Sequence, residues 1–485
     1  MVPLITILMV LLTIALCVMM LKQYVSGSHD LLSLRNFFLM GFIVFQLTSA
    51  IVLLRTQVYG SLTIQDLPAT ATKYAVMVLL FLGIFLVAYS RGWIARGLAR
   101  LTPAGEAAPG VTSTLTLAIA VLFIGLVFRF GLGQIPLIGT LTNTMSIGIL
   151  SLAAGMAAWA YAPRLWNPIV GAVACGVILL ALAAVIHNAF GRRSLLSVLT
   201  CVMWGAYHSH WKHMPPVRSL FRFGVLTAGA VAMMAAFTVI RSGVERERSA
   251  VEQMQLMQQS AGKLREGVVD MVSGQDTARN SMWLIENYPY RFDYITLHSL
   301  YYFVVHPIPR QYWPEKPDAL GRMTVRHSRA GRYKQANFSI GPGMIGHIAA
   351  DNPLLALIPY AIGLGLILRY FDEVVRLHPY NPFMVLPMGT ALGQIIGLPR
   401  GELGLFLFNA LWGIIAAYIL MIVVARTMAV LGWRIQYDEA LPSEYESADD
   451  WEHGYEAYDD YGDKYTTDPY GGGADHGDSE SSSSR

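Results

Sequence analysis

Residues 306–317, His306-Pro307-Ile308-Pro309-Arg310-Gln311-Tyr312-Trp313-Pro314-Glu315-Lys316-Pro317, carry four prolines within eleven positions. Proline fixes φ and removes an N–H, so this segment reads as a stiff extended strap that presents Arg310 and Lys316 at low ordering cost. Downstream, Arg322, Arg326, Arg329, Arg332 and Lys334 follow within thirteen residues without an acid. Such a run is either a solvated face or the docking surface of an anion. Further arginines sit in two tight turns, Gly191-Arg192-Arg193-Ser194 and Pro399-Arg400-Gly401-Glu402, and Arg279 opens an aromatic stretch through Tyr288, Tyr290, Phe292, Tyr294, Tyr301 and Tyr302. A guanidinium fork makes bidentate, charge-assisted bonds to phosphate oxygens; it also snorkels to lipid head groups. Together with Trp313, the aromatic faces suit sugar rings, and they equally suit a membrane-interface belt. For proton transfer His347 titrates near neutrality, with Asp276, Asp351 and Glu402 as competitors. The segment Ser339-Ile340-Gly341-Pro342-Gly343-Met344-Ile345-Gly346-His347 allows close backbone approach to a ligand. The three cysteines, Cys17, Cys175 and Cys201, show neither a disulfide framework nor a metal-ligand spacing.

The elements that position these residues are apolar. Hydrophobic residues make up 54% of 485 positions and charged residues 14%, too few charges to cover a water-facing surface. A bilayer core needs about 20 apolar residues in helix. Runs of that kind lie near 3–22, 36–54, 74–90, 111–130, 141–162, 168–190, 195–211, 222–240, 353–370, 382–399 and 404–425. The expected fold class is therefore all-α: a polytopic transmembrane helix bundle of about eleven spans with one large, partly helical extracytoplasmic loop. The expected organisation is an N-terminal bundle over 1–240, the loop over 241–352, C-terminal transmembrane helices over 353–428 and an acidic disordered cytoplasmic tail over 429–485. Residues 244–272 read as an amphipathic helix over the membrane mouth. With the N-terminus outside, thirteen Lys and Arg flank inner helix ends and six flank outer ones, favouring N-out, C-in. The tail from Gln436 holds 15 of the 32 acids, leaving 33 bases against 17 acids, +16, in the rest. His208, His210 and His213 fall beside Lys212, Arg218 and Arg222, which reads as an interfacial basic loop rather than a metal cluster.

These features resemble the oligosaccharide repeat-unit polymerase family (Wzy-type), which extends O-antigen, capsule or exopolysaccharide chains at the outer face of the bacterial inner membrane. The resemblance rests on I-P-R-x-x-W-P-x-K-P at Ile308–Pro317, S-x-G-P-x-x-I-G at Ser339–Gly346, the Arg turn at Gly191–Ser194 and Arg400-Gly401 after an apolar span. It covers roughly residues 185–425. Many similar proteins carry Glu where this chain has His347. The resemblance implies a glycosyltransferase that moves a growing glycan from undecaprenyl pyrophosphate onto a hydroxyl of the next lipid-linked unit. His347, Arg310 and Arg400 would be catalytic, and Arg192, Arg193, Arg279, Trp313, Lys316 and Arg322 would bind substrate, with no metal or other cofactor. Implied partners are undecaprenyl-pyrophosphate-linked oligosaccharides, membrane lipids and other polysaccharide export or chain-length proteins, and no nucleic acid. The implied location is the inner (cytoplasmic) membrane. Ligase chemistry with the same donor, a transporter of lipid-linked sugars and a scaffold in an export complex remain as alternatives.

Overall fold

The computed structural model describes residues 1–56, 62–102, 109–135, 138–187, 192–242, 276–329 and 339–432. The chain divides into Met1–Tyr437 and Asp438–Arg485, and the second unit lies outside the described residues. So do the expected amphipathic helix at 244–272 and the bases Arg332 and Lys334. Among the described residues there is no extended strand. Helices α1 (Val2–Val25), α2 (Leu34–Phe42), α3 (Ser49–Thr56), α4 (Leu67–Ser90), α5 (Trp93–Arg100), α6 (Val111–Leu126), α7 (Gly139–Tyr161), α8 (Pro168–Ile186), α9 (Arg192–Ser209) and α10 (Pro216–Ser242) form the N-terminal part. They are followed by α11 (Thr277–Asn287), α12 (His298–Val305), α13 (Leu320–Ser328), α14 (Met344–Ala350), α15 (Pro353–Leu377), α16 (Pro382–Gly389), α17 (Leu392–Gly397) and α18 (Leu403–Val430). Nine of the described helical segments are long and apolar enough to cross a membrane, so this is a multi-pass helical membrane protein.

Two of the eleven expected spans take another form. The 195–211 window is α9, whose Ser194, Ser197, Thr200 and His208 are buried inside protein rather than turned to lipid. Ser197 and Thr200 return their hydroxyl protons to the helix, donating to the Arg193 and Leu196 carbonyls at 3.0 and 2.7 Å. Low hydropathy here marks a core helix, because the hydroxyls of Ser197 and Thr200 are satisfied within it. The 382–399 window breaks at Thr390–Ala391 into α16 and α17. Thr390 donates to the Pro387 carbonyl at 2.7 Å, and the fully buried Trp204 of α9 donates its indole N–H to the Val385 carbonyl at 2.8 Å. Broken helix at membrane depth is tolerated where protein covers it in this way.

The two ends of the bundle are tied differently. At one end Asp372 of α15 accepts the backbone N–H groups of Leu34 and Arg35 at 2.7 and 3.2 Å and the Tyr89 hydroxyl at 2.8 Å. That carboxylate joins the start of α2, the end of α4 and the end of α15. At the other end, residues 276–329 and 339–350 pack into the bundle. Helix α11 is buried along nearly its whole length and α14 completely. Ala278 donates its N–H to Ser49 at 3.1 Å, while Asn280 and Ser281 donate to the Gly341 and Pro342 carbonyls, both at 2.9 Å. A π-helical turn at Ile43–Thr48 turns the wholly buried Gln46 toward this end. There it donates to the Pro399 carbonyl at 2.5 Å and accepts the Tyr74 hydroxyl at 2.7 Å.

Candidate functional site

The arginines of the sequence reading gather at this second end, on three supports. The first is residues 306–319, which are coiled rather than extended. The N–H groups of Ile308, Tyr312 and Lys316 donate to the carbonyls of Val305, Pro309 and Trp313, all at 3.1 Å. Pro314 stands second in the turn from Trp313 to Lys316, where its fixed φ is preorganised; the prolines therefore make turns and not a strap. Folding back brings Arg310 onto the carbonyls of Pro314 and Pro317 at 3.4 and 3.2 Å and onto Asp318 at 2.6 Å. Lys316 is buried, donates to the His306 and Ile308 carbonyls and lies 5.7 Å from the Tyr302 ring centre. Burial, and then Arg310, lower its pKa. Trp313 is half-buried, while Tyr290 and Tyr312 are exposed.

Asp318 is the hub. Besides Arg310 it receives Arg322 at 3.0 Å and Arg326 at 2.5 Å. Residues 318, 322 and 326 are spaced by four across the start of α13, so one helix face carries all three. Three guanidiniums on one carboxylate leave a surplus of two positive charges. Each guanidinium has five N–H donors, and the side chains of Arg310 and Arg326 are 43% and 60% exposed, so donors remain for an anion. Asp318 drew no notice in the sequence, although its i, i+4 spacing to Arg322 was visible.

The second support is the start of α18. Helix α13 begins at Ala319, which has no side-chain acceptor, and Glu402 supplies one: its carboxylate accepts the Leu320 and Gly321 N–H groups at 2.9 and 3.0 Å. Burial raises the Glu402 pKa to about 7, opposed by these two N–H bonds. Helix α18 begins at Leu403, whose N–H donates to His347 Nε2 at 3.1 Å. Because Nε2 is an acceptor there, the ring proton sits on Nδ1 and is donated to Ser299 Oγ at 2.6 Å. Burial lowers the His347 pKa to about 3. Both ring nitrogens are thus engaged in a neutral, fully buried ring, 3.7 Å from Glu402. His347 here caps a helix; it presents no nitrogen to a substrate in this arrangement. Asp351 accepts the Ser299 N–H at 3.0 Å and the Tyr360 hydroxyl at 2.5 Å. Its Oδ1 is buried with no partner among the described residues, and burial raises its pKa.

The third support is the pair of arginine turns. The Arg400 carbonyl accepts the Gly343 N–H at 3.0 Å, while Pro399 accepts that of Met344 at 3.0 Å. Gly343 has φ +74° and a Cβ there would meet Gln46 and Ser281 at 2.7 Å, so both conformation and space require glycine. The Arg400 guanidinium lies 5.9 Å from the Phe45 ring centre and that of Arg193 lies 4.4 Å from Phe406 on α18. After burial, Lys316 and Arg193 both lower the His306 pKa, to about 4. Arg192 begins α9, and its side chain lies outside the described residues. Arg279 is buried on α11 and pairs with Asp276 at 3.2 Å. The structure thus brings Arg310 and Arg322 together, adds Arg326, sets Lys316 behind them and holds His347 beneath as a strut.

In comparisons with known proteins, the chain matches no family model, no curated relative and no solved structure.

Proposed function

We propose that the chain is a membrane glycosyltransferase that polymerises undecaprenyl-pyrophosphate-linked oligosaccharide repeat units at the outer face of the bacterial inner membrane. The observation that carries this reading is the Arg310, Arg322 and Arg326 cluster on Asp318, with its surplus positive charge at one end of a multi-pass bundle. The N-out, C-in orientation, favoured by flanking charges, sets that end outside. In the reaction the acceptor hydroxyl oxygen bonds to the anomeric carbon of the donor as the bond to the pyrophosphate oxygen breaks. Undecaprenyl pyrophosphate leaves with the electron pair. Guanidiniums stabilise that growing charge through charge-assisted bonds to the phosphate oxygens. The hydroxyl proton needs an acceptor, and Glu402, raised to about 7, is matched to neutral pH. Its bonds to α13 also make it the positioning residue for Arg322 and Arg326. Exposed Tyr290 and Tyr312 provide apolar ring faces for the glycan.

Deleting the gene and profiling lipid-linked glycans tests this reading. Single repeat units on the carrier or final acceptor are expected. Long polymer stranded on the carrier would instead indicate a ligase, and units trapped inside a transporter.

A further inference from the structure

A second site lies at the opposite end of the bundle, where α4 and α15 end. There α5 follows α4 after one sharp turn at Gly92, whose added Cβ would meet the Arg369 side chain at 3.0 Å and the Ala88 carbonyl at 3.1 Å. Helix α5 buries Ala95 and Ala99 against α15, and the Thr102 and Tyr370 hydroxyls, 3.0 Å apart, pin its far end. At about 100° per residue, the outward surface of α5 divides into two. Ile94, Leu98 and Leu101 form one strip and are 46%, 53% and 78% exposed, while Trp93, 72% exposed, stands at its edge beside Arg100. Arg96 and Arg100 form the other, with Arg91 at the turn, and all three are exposed. Among the described residues none of the three guanidiniums has an ion-pair or hydrogen-bond partner.

Immediately beside the turn is a groove of about 350 Å³ between α4 and α15. Gly83, Val87, Ile362 and Leu366 wall it, and Arg91 and Trp93 stand at its mouth. Gly83 opens onto it: a Cβ there would meet nothing within 4 Å. An apolar channel running along two candidate spans, ending at unpaired arginines and an exposed tryptophan, has the order of parts of one lipid molecule. An amphipathic helix with arginines beside Trp and Leu lies in the membrane interface.

We infer that this end of the protein holds an anionic glycerophospholipid, with one acyl chain in the α4–α15 groove and its phosphate on Arg91, Arg96 and Arg100. The site is independent of the proposed transferase reaction, since it shares no residue with the Asp318 cluster. The selectivity is electrostatic: each arginine near an anionic head group contributes about a fivefold preference, and the three together roughly a hundredfold. The groove sets the stoichiometry at one bound lipid.

The test is native mass spectrometry of the full chain after equilibration in nanodiscs containing equal phosphatidylglycerol and phosphatidylcholine. The wild type is expected to retain one phosphatidylglycerol in preference to phosphatidylcholine. R91A/R96A/R100A should lose that preference, R91K/R96K/R100K should keep most of it, and Gly83→Phe, whose Cβ enters open space and whose ring would occupy the groove, should lose the retained lipid altogether. Equal retention of the two lipids by the wild type would overturn the inference. So would an unchanged preference in the triple-alanine variant, or an unchanged bound lipid in Gly83→Phe; the last keeps the inference refutable should the triple variant not fold.

Discussion

Glu402→Gln keeps the size and one carbonyl oxygen of the side chain and removes its charge. In the wild type burial holds the carboxyl at about 7 against an ordinary value of 4.5. Between those values the folded protein keeps a proton that the unfolded chain releases. A carboxyl with a raised folded pKa therefore contributes stability below about pH 4.5 that is lost as pH rises to about 7. The gap corresponds to about 3 kcal/mol across that window. Glutamine does not titrate. It loses one of the two helix-capping bonds to Leu320 and Gly321, and this cost is the same at every pH. The assay is the thermal midpoint of both detergent-solubilised proteins from pH 4 to 8. His347, lowered to about 3 by burial, contributes the opposite slope, but equally in both, so the difference isolates Glu402. The variant should start less stable at pH 4 and gain on the wild type by about 3 kcal/mol by pH 8. A difference that stays constant over the whole range would refute the reasoning.

Three further outcomes are expected. Ser299→Ala leaves the buried Nδ1–H of His347 without its acceptor and should cost about 1–3 kcal/mol, measured by thermal unfolding. Gln46→Leu removes the side-chain bonds to the Pro399 carbonyl and the Tyr74 hydroxyl, each of which keeps a second partner in the Met344 N–H and the residue-46 backbone carbonyl; a loss of about 1 kcal/mol is expected by thermal unfolding, together with greater protease sensitivity at the Arg400 turn. Arg310→Ala, Arg322→Ala and Arg400→Ala should each shorten the polymer in a complemented deletion strain at normal protein levels, and normal chain length in all three would sink the assignment of the arginines.

How far the sequence carried differs from element to element. The long apolar helices were legible because lipid exposure demands continuous apolar runs, as in α1 and α18. Helix α9 and the broken pair α16–α17 differ from the other expected spans in hydropathy and continuity, and hydropathy does not tell a segment shielded by protein from one facing lipid. The clustering of Arg310, Arg322 and Arg326 was legible from their number and the run without acids after Asp318. The coil that gathers them was not, because prolines fit turns as readily as extended chain. His347 drew notice as a titrating group near neutrality; its neighbours Ser299 and Leu403 are remote in sequence, and only folding shows both ring nitrogens engaged. Asp318 and Glu402 carry much of the site's organisation and were weak in the sequence for the same reason: a single acid shows neither its burial nor its partners.

The most direct measurement takes lipid-linked units extracted from the deletion strain and incubates them with the purified protein in liposomes, without nucleotide. The account predicts a ladder of lengthening glycans with one undecaprenyl pyrophosphate released per new linkage, greatly reduced with the R310A/R322A/R326A variant. Units that remain single in the presence of the wild-type protein, or that only cross the bilayer with no new glycosidic bond, would contradict it.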